Sequence, residues 1–411
     1  MAGSVGDIGI HGGRSVVLAL RGIKSWPISR DVWWLTLAQG LWGLGLGLYG
    51  MFFPLYVEKL GGGPVVVGFL TTVAGVATAL VVFPGGWLAD RVDRRSILVW
   101  GWIVAVPVPW LFAWAPHWQW LIPGVLLYFG SAFSTPALQA VIVEEAAPGQ
   151  LAFSYNVVMS VFGAGMVLGP AIGGYLASRF SYGFVFTLSG LIYTASTVAI
   201  WQIRSHPARP RPKRPAAWKP AARPRFFQWM LFAAALSVIQ GFVWPYVVPY
   251  WKSVGHLSME TIGLLGSVAM AAVTLTGPLW ARVGDRVGIP KALGAGLGLL
   301  AAGWLLLLWM PESLGWGLLS SLLRGIGEGS RGLQGVALGR VAKPGELGTA
   351  YGLFNLATEL AGALAPLPGG LLFAHWVYGP LVLGIFFTAI IGWWLLNGLP
   401  GRPTPVPPIA T

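Results

Sequence analysis

The sequence predicts an all-α membrane protein of twelve transmembrane helices, arranged as two parallel repeats of six. Three observations carry that prediction: a charge-poor composition, twelve apolar runs, and a chain that repeats itself after 195 residues. Of the 411 residues, 55% are hydrophobic and 9% charged, whereas a soluble domain carries about 25% charged residues. Mean hydropathy is +0.70. Runs of this apolarity are long enough to cross a hydrocarbon core of about 30 Å, so lipid rather than water is the main solvent.

Taken in order, the apolar runs bounded by charge, Pro or Gly place six spans at 32–57, 64–89, 96–115, 119–143, 154–177 and 183–203. Six more follow at 226–251, 259–281, 290–310, 314–339, 349–374 and 379–399. The expected organisation is an N-terminal arm (1–31), a six-helix bundle (32–203), a basic Pro-rich linker (204–225), a second six-helix bundle (226–399) and a tail (400–411). The arm holds one short apolar stretch, Val16 to Leu20, too brief for a signal-peptide core. It reads as cytoplasmic. Prolines and like charges keep the linker from packing as a helix.

Charge sets the expected orientation. The chain carries 26 Lys and Arg against 13 Asp and Glu, a formal net charge of +13. In a soluble protein that excess would point to nucleic acid. Here 21 of the basic residues fall in the arm, the tail and the loops on one side, and only Lys59, Arg179 and Lys252 on the other. That bias places both termini in the cytoplasm of a cell whose inner (plasma) membrane holds the protein, with no nucleic-acid partner. Trp33, Trp34, Trp114, Trp118, Trp120, Trp201 and Trp229 fall near span ends, as interfacial anchors do.

The duplication is read residue by residue. Pro54 matches Pro249, Gly68 matches Gly263, Asp90-Arg91-Val92 matches Asp285-Arg286-Val287, and Leu138-Gln139 matches Leu333-Gln334. After one inserted residue, Tyr155 matches Tyr351, Pro170 matches Pro366 and Gly173-Gly174 matches Gly369-Gly370. An even number of spans per copy keeps both copies in one orientation, related by an axis along the membrane normal. A central cavity between them follows, open to either side in turn as the halves rock.

The segment "GGWLADRVDRR", residues 85–95, resembles the signature loop of the major facilitator superfamily. Gly86 is expected to allow close helix approach, Asp90 to face a helix end or an Arg, and Arg91, Arg94 and Arg95 to meet the inner surface. In the family this loop latches the outward-facing state. Asp93 stands where the family usually has Gly, and a partial copy, "GDRVGIPK", recurs with Asp285 and Arg286. Glu144 and Glu145 lie where relatives place an acidic partner for the loop, here Arg91 or Arg94. "GMVLGPAIGG" in the fifth span is similar to a motif of the family's proton-coupled exporters. It makes Gly165, Gly169, Pro170, Gly173 and Gly174 the expected site of helix packing and flexing. The exporter motif with an Arg in the fourth span is absent; Tyr128, Phe129 and Gly130 stand there, and "LLRGIGEG" occupies the tenth span instead.

Four ionisable residues sit deep within spans: Arg324, Glu328 and Arg331 in the tenth and Glu359 in the eleventh. Each costs about 2.5–3.5 kcal/mol at mid-membrane, so each calls for a partner or a function. At about 100° per residue the first three share one narrow face and are expected to form one cluster. Desolvation favours the neutral acid and a nearby Arg the carboxylate, the balance that reversible protonation needs. Glu328 or Glu359 is therefore the expected proton carrier, with Arg324 or Arg331 sensing its charge. The alternative is a structural ion-pair ladder. Gln39, Asn156, Gln240 and Asn355 are expected to line the cavity; Trp42, Tyr49, Trp244 and Tyr246 could add an aromatic wall.

No H-E-x-x-H, G-x-S-x-G or Walker sequence occurs, and the chain has no cysteine, so no cofactor, no metal site and no enzymatic activity are expected. The resemblance implies a secondary active transporter of the drug:proton antiporter group that expels small amphiphilic compounds by alternating access and is functional as a monomer. A proton-coupled symporter, or an exporter of a specific metabolite, sugar, organic anion or lipid, is the alternative.

Overall fold

The computed structural model describes residues 28–147, 149–207, 223–342 and 347–397. The arm, most of the linker and the tail lie outside them. The first half is built from α1 (Arg30–Gly50), α2 (Phe53–Lys59), α3 (Pro64–Ala89), α4 (Arg94–Ala105), α5 (Pro107–Ala113), α6 (Leu121–Gly130), α7 (Thr135–Glu145), α8 (Leu151–Arg179) and α9 (Tyr182–Trp201). The second half holds α10 (Pro224–Val243), α11 (Val247–Ser253), α12 (Met259–Val287), α13 (Ile289–Trp309), α14 (Leu314–Gly329), α15 (Gly332–Val341), α16 (Leu347–Leu364), α17 (Pro366–His375) and α18 (Gly379–Asn397).

Paired across short breaks, these helices make the twelve spans, with ends within a few residues of those expected, except that α12 runs on to Val287. Among the described residues, ten segments are long and apolar enough to cross a membrane, and eleven with the first span, α1–α2, which is bent by 43°. The remaining segment, α14–α15, is set apart by its charges, Arg324, Glu328, Arg331 and Arg340.

The breaks repeat as the sequence does. The first span breaks at Met51–Phe52 and the seventh at Trp244–Tyr246, positions that correspond across the duplication. The fourth span passes through a 3₁₀ turn, Ser131–Ser134, and the tenth is interrupted at Ser330–Arg331. Proline enters at three of these sites, with Pro54, Pro136 and Pro245 in or beside a new turn where the lost N–H costs little, and Pro366 does the same within the eleventh span.

The halves meet along two seams. The second span packs on the eleventh, where a Cβ on Gly68 would come within 2.5 Å of the Pro366 carbonyl and one on Gly75 within 2.5 Å of Ala363. The fifth packs on the eighth, where a Cβ on Gly263 would lie 2.3 Å from the Pro170 carbonyl. Ala171 N donates to Ser267 Oγ (3.0 Å) and Ser178 Oγ to Glu260 Oε1 (2.6 Å) across this second seam. All these contacts lie toward the end that carries Lys59, Arg179 and Lys252. Toward the opposite, charge-rich end the halves part, and the Cβ positions of Gly277 and Gly352 face open space.

Candidate transport site

The first half has an aromatic interior. Trp42 of the first span stacks on Tyr193 of the sixth, with centroids 4.6 Å apart, and on Tyr128 of the fourth at 5.8 Å. Trp42 Nε1 donates to the Tyr128 hydroxyl (3.2 Å), and the Tyr49 and Tyr193 hydroxyls are hydrogen-bonded (3.2 Å). These rings satisfy one another's polar atoms, which is what membrane depth requires of Tyr and Trp. Gln39 is buried close by on the same helix.

Fixed charge belongs to the second half. Arg331 Nη1 donates to Glu328 Oε1 (2.6 Å) and to Gln240 Oε1 (3.2 Å), and Gln240 Nε2 donates to the other Glu328 oxygen. Gln240 thus ties the seventh span to the tenth. Both charged residues keep partial access, with side-chain exposures of 25% for Glu328 and 36% for Arg331.

Arg324 shares a recess with Glu328 and Gln240 of this triad but is not within ion-pair distance of the carboxylate. Its Cζ lies 4.9 Å above the Trp251 ring, and its only hydrogen bond among the described residues runs from Nη2 to Ser321 Oγ (3.3 Å). Arg324 and Glu328 lie one turn apart on a face of α14, and the break at Ser330–Arg331 re-aims Arg331 alone. The chain does not carry the helical wheel of α14 unbroken to Arg331, so Arg331 turns toward Gln240. Arg324 leans toward the other end, into space left by Gly303, where a Cβ would meet Arg324 Cγ at 2.5 Å.

Glu359 forms no hydrogen bond or ion pair among the described residues and is exposed, as is Asn355 one turn away. Their face of α16 lies between Gly362, which packs near Ser237 of the seventh span, and Ala363, which meets Gly75 of the second. Asn156 is likewise exposed, on the face of α8 that two turns later brings Gly163 to Thr274. Among the described residues, none of these three is hydrogen-bonded to the triad through its side chain.

The glycines of the fifth span work as packing surfaces. Gly165, Gly169 and Gly173 press on Leu44, Gly47 and Leu48 of the first span, and a Cβ on Gly173 would sit 1.9 Å from the Leu48 carbonyl. Pro170 and Gly174 face the eighth span of the other half.

At the charge-rich end Arg94, 1% exposed, pairs with Glu144, while Arg91 lies over the Trp87 ring at 3.9 Å. Arg95 Nη2 donates to the Trp201 carbonyl (2.9 Å), and Asp90 is engaged as well. In the second half Asp285 accepts from Arg340 (2.8 Å), and Arg286 is exposed. Gly86 does not provide the close approach expected of it: its Cβ would meet nothing nearer than Pro136 at 3.9 Å. That approach belongs to Gly85, 2.1 Å from the Phe133 carbonyl.

Sequence reasoning missed a clasp beside this loop. Asp93 accepts from His206 N (2.6 Å) and Ser205 Oγ (3.1 Å), and Arg94 N donates to the His206 carbonyl (3.1 Å). His206 Nε2 lies 3.0 Å from Glu145 Oε1, and Arg204 Nε is 3.2 Å from buried Asp31. The first residues of the expected linker, 204–207, are therefore strapped to the first half. Asp31, Glu145 and His206 bring ligand atoms within 4.8 Å of one another. Arg204 already supplies these carboxylates with a cation, so the cluster is a clasp of ion pairs. Asp93 in place of the usual Gly was the one sequence signal of it.

Comparison with known proteins settles the family. The profile of the Major Facilitator Superfamily matches residues 35–260 and 239–410. The chain belongs to this superfamily. Among major facilitators, it is similar to a multi-drug resistance efflux pump, the PmrA homolog of Lactococcus lactis, at 24% identity over 86% of this chain and 91% of the relative. The multidrug resistance protein MdtG of Proteus mirabilis is 25% identical over 63% of this chain and 68% of its own. A putative sugar efflux transporter of Deinococcus radiodurans is 31% identical over 44% and 48%. A mutant of the nucleoside transporter NupG superposes with a TM-score of 0.79 over 89% of this chain and 99% of its own at 12% identity, a likeness of fold alone. The major facilitator fold of twelve helices in two like repeats, and a multi-pass membrane transporter, are thereby established.

Proposed function

We propose that this transporter is a proton-coupled exporter of small amphiphilic compounds, with Glu328 as the proton carrier. The observation that carries the reading is the triad. Among the described residues, Glu328 is the one mid-membrane carboxylate held by both an Arg and an amide while still partly open to the gap between the halves. An acid so placed exchanges its proton with the cavity, and protonation frees Arg331 from its ion pair, so that proton and substrate compete for one charge network. The efflux names of the PmrA homolog and MdtG support the direction.

The basic residues around the open end make that end cytoplasmic by the positive-inside rule, in an inner membrane with both termini inside. On this assignment the structure is inward-facing, shut by the seams at the outer end, and a single chain encloses the whole route.

The test is substrate-driven proton movement in inside-out vesicles carrying a pH gradient. Export coupled to protons releases protons from the vesicle lumen when a transported compound from a panel of aromatic cations, anions and neutral amphiphiles is added, and Glu328→Gln abolishes the release. Proton flux in the opposite sense on substrate addition would make the protein an importer.

A further inference from the structure

Arg324 is 5% exposed at membrane depth, yet among the described residues no carboxylate lies within ion-pair distance of it and its Nε has no hydrogen-bond partner. A buried cation without a counter-ion is the costly case of burial. Trp251 offsets part of that cost through its ring face, and Ser321 supplies one long hydrogen bond. Neither neutralises the charge.

Arg324 also lines a recess walled by Trp244, Met270, Val273 and Trp304, together with Gln240 and Glu328. Small-molecule sites pair an apolar wall of this kind with a few fixed polar groups. Arg324 and Arg331 share the one carboxylate of Glu328, and Arg331 holds it in contact, so among the described residues the cluster carries one excess positive charge.

We propose that Arg324 is a substrate-binding residue for an anionic head group, and that the transported class is amphiphilic organic anions, a carboxylate or sulfonate on an aromatic body. The inference rests on the transporter reading above and narrows its cargo. An oxyanion fits the guanidinium fork in two parallel hydrogen bonds. The aromatic body lies against Trp244 and Met270.

Binding is measured on the purified full chain in phosphatidylcholine nanodiscs, at equilibrium and without a proton gradient. Thermal unfolding is followed with three probes that share one ring system: 2-naphthoate, 2-naphthylmethanol and (2-naphthyl)methylammonium. The expected result is a saturable rise in Tm with naphthoate and a far smaller one with the alcohol and the amine. Arg324→Gln weakens naphthoate by more than about tenfold, a loss of about 1.4 kcal/mol, and Arg324→Lys restores part of it.

Equal stabilisation by the amine, or an unchanged naphthoate response in Arg324→Gln, overturns the proposal. If the Arg324 variants do not fold, Gly303→Ala decides. Its methyl meets Arg324 Cγ at 2.5 Å and the α14 backbone at 3.0 Å, which shifts the guanidinium while keeping the charge, and must weaken naphthoate more than the alcohol. Naphthoate bound through Arg324 with no proton movement in vesicles would retain this inference and remove the coupling reading; proton movement driven only by cations would do the reverse.

Discussion

At the scale of single residues, the buried charges divide the labour. Glu328 is held by Arg331 and Gln240, so Glu328→Gln keeps the side-chain shape and removes the negative charge. The expected outcome in proteoliposomes is that substrate exchange at equal concentrations persists while uphill, proton-driven transport is lost. Glu359→Gln is expected to retain coupling. If both variants drive uphill transport as the parent does, neither acid is the carrier. That four charges lie in two spans is legible in the sequence, because ionisable residues stand out in apolar runs. Their partition was not, since a helical wheel presumes a continuous helix and α14 stops at Gly329. The pairing of Gln240 with Glu328, and of Trp251 with Arg324, joins residues far apart in sequence and leaves no local mark.

At the scale of elements, close approach falls on specific glycines, and the signature loop shows how narrowly. The neighbouring pair Gly85 and Gly86 differ in what a methyl would meet: the Phe133 backbone at 2.1 Å for the first, Pro136 at 3.9 Å for the second. Gly85→Ala should force the second span off the fourth and cost about 1–3 kcal/mol by overpacking. Gly86→Ala should be neutral or stabilising by about 0.4–1 kcal/mol, since a helical glycine loses more chain entropy on folding. The two melting temperatures of the purified variants check this directly. Gly173→Ala, aimed at the Leu48 carbonyl, belongs with Gly85→Ala. Here the sequence was informative about type and weak about position. It marked glycine-rich faces and not the helix breaks at Pro54, Pro136 and Pro245; which of two adjacent glycines faces the partner depends on helix rotation, and the clasp of Asp93 with residues 204–206 depends on a chain reversal over more than a hundred residues.

At the scale of the whole molecule, the two seams and the open end define one conformational state, and alternating access requires the seams to open. The second–eleventh and fifth–eighth contacts join small residues, Gly68, Gly75, Gly174, Gly263 and Ala363, with few polar bonds. Separating them therefore exposes little surface that lipid or water would penalise. The strap at residues 204–207 stays with the first half, so the motion takes place between the halves. Because the natural chain has no cysteine, single introduced thiols report on it without background. Asn156→Cys and Asn355→Cys, both exposed where the halves part, should react with a membrane-impermeant maleimide from the charge-rich face and resist it from the other. Joining the outer seam through Ala171→Cys and Ser267→Cys, positions linked by the 3.0 Å hydrogen bond, should preserve that labelling while stopping transport, and reduction should restore it. Transport that continues with the disulfide intact would mean that this seam does not open during the cycle, and the substrate would have to leave by another route.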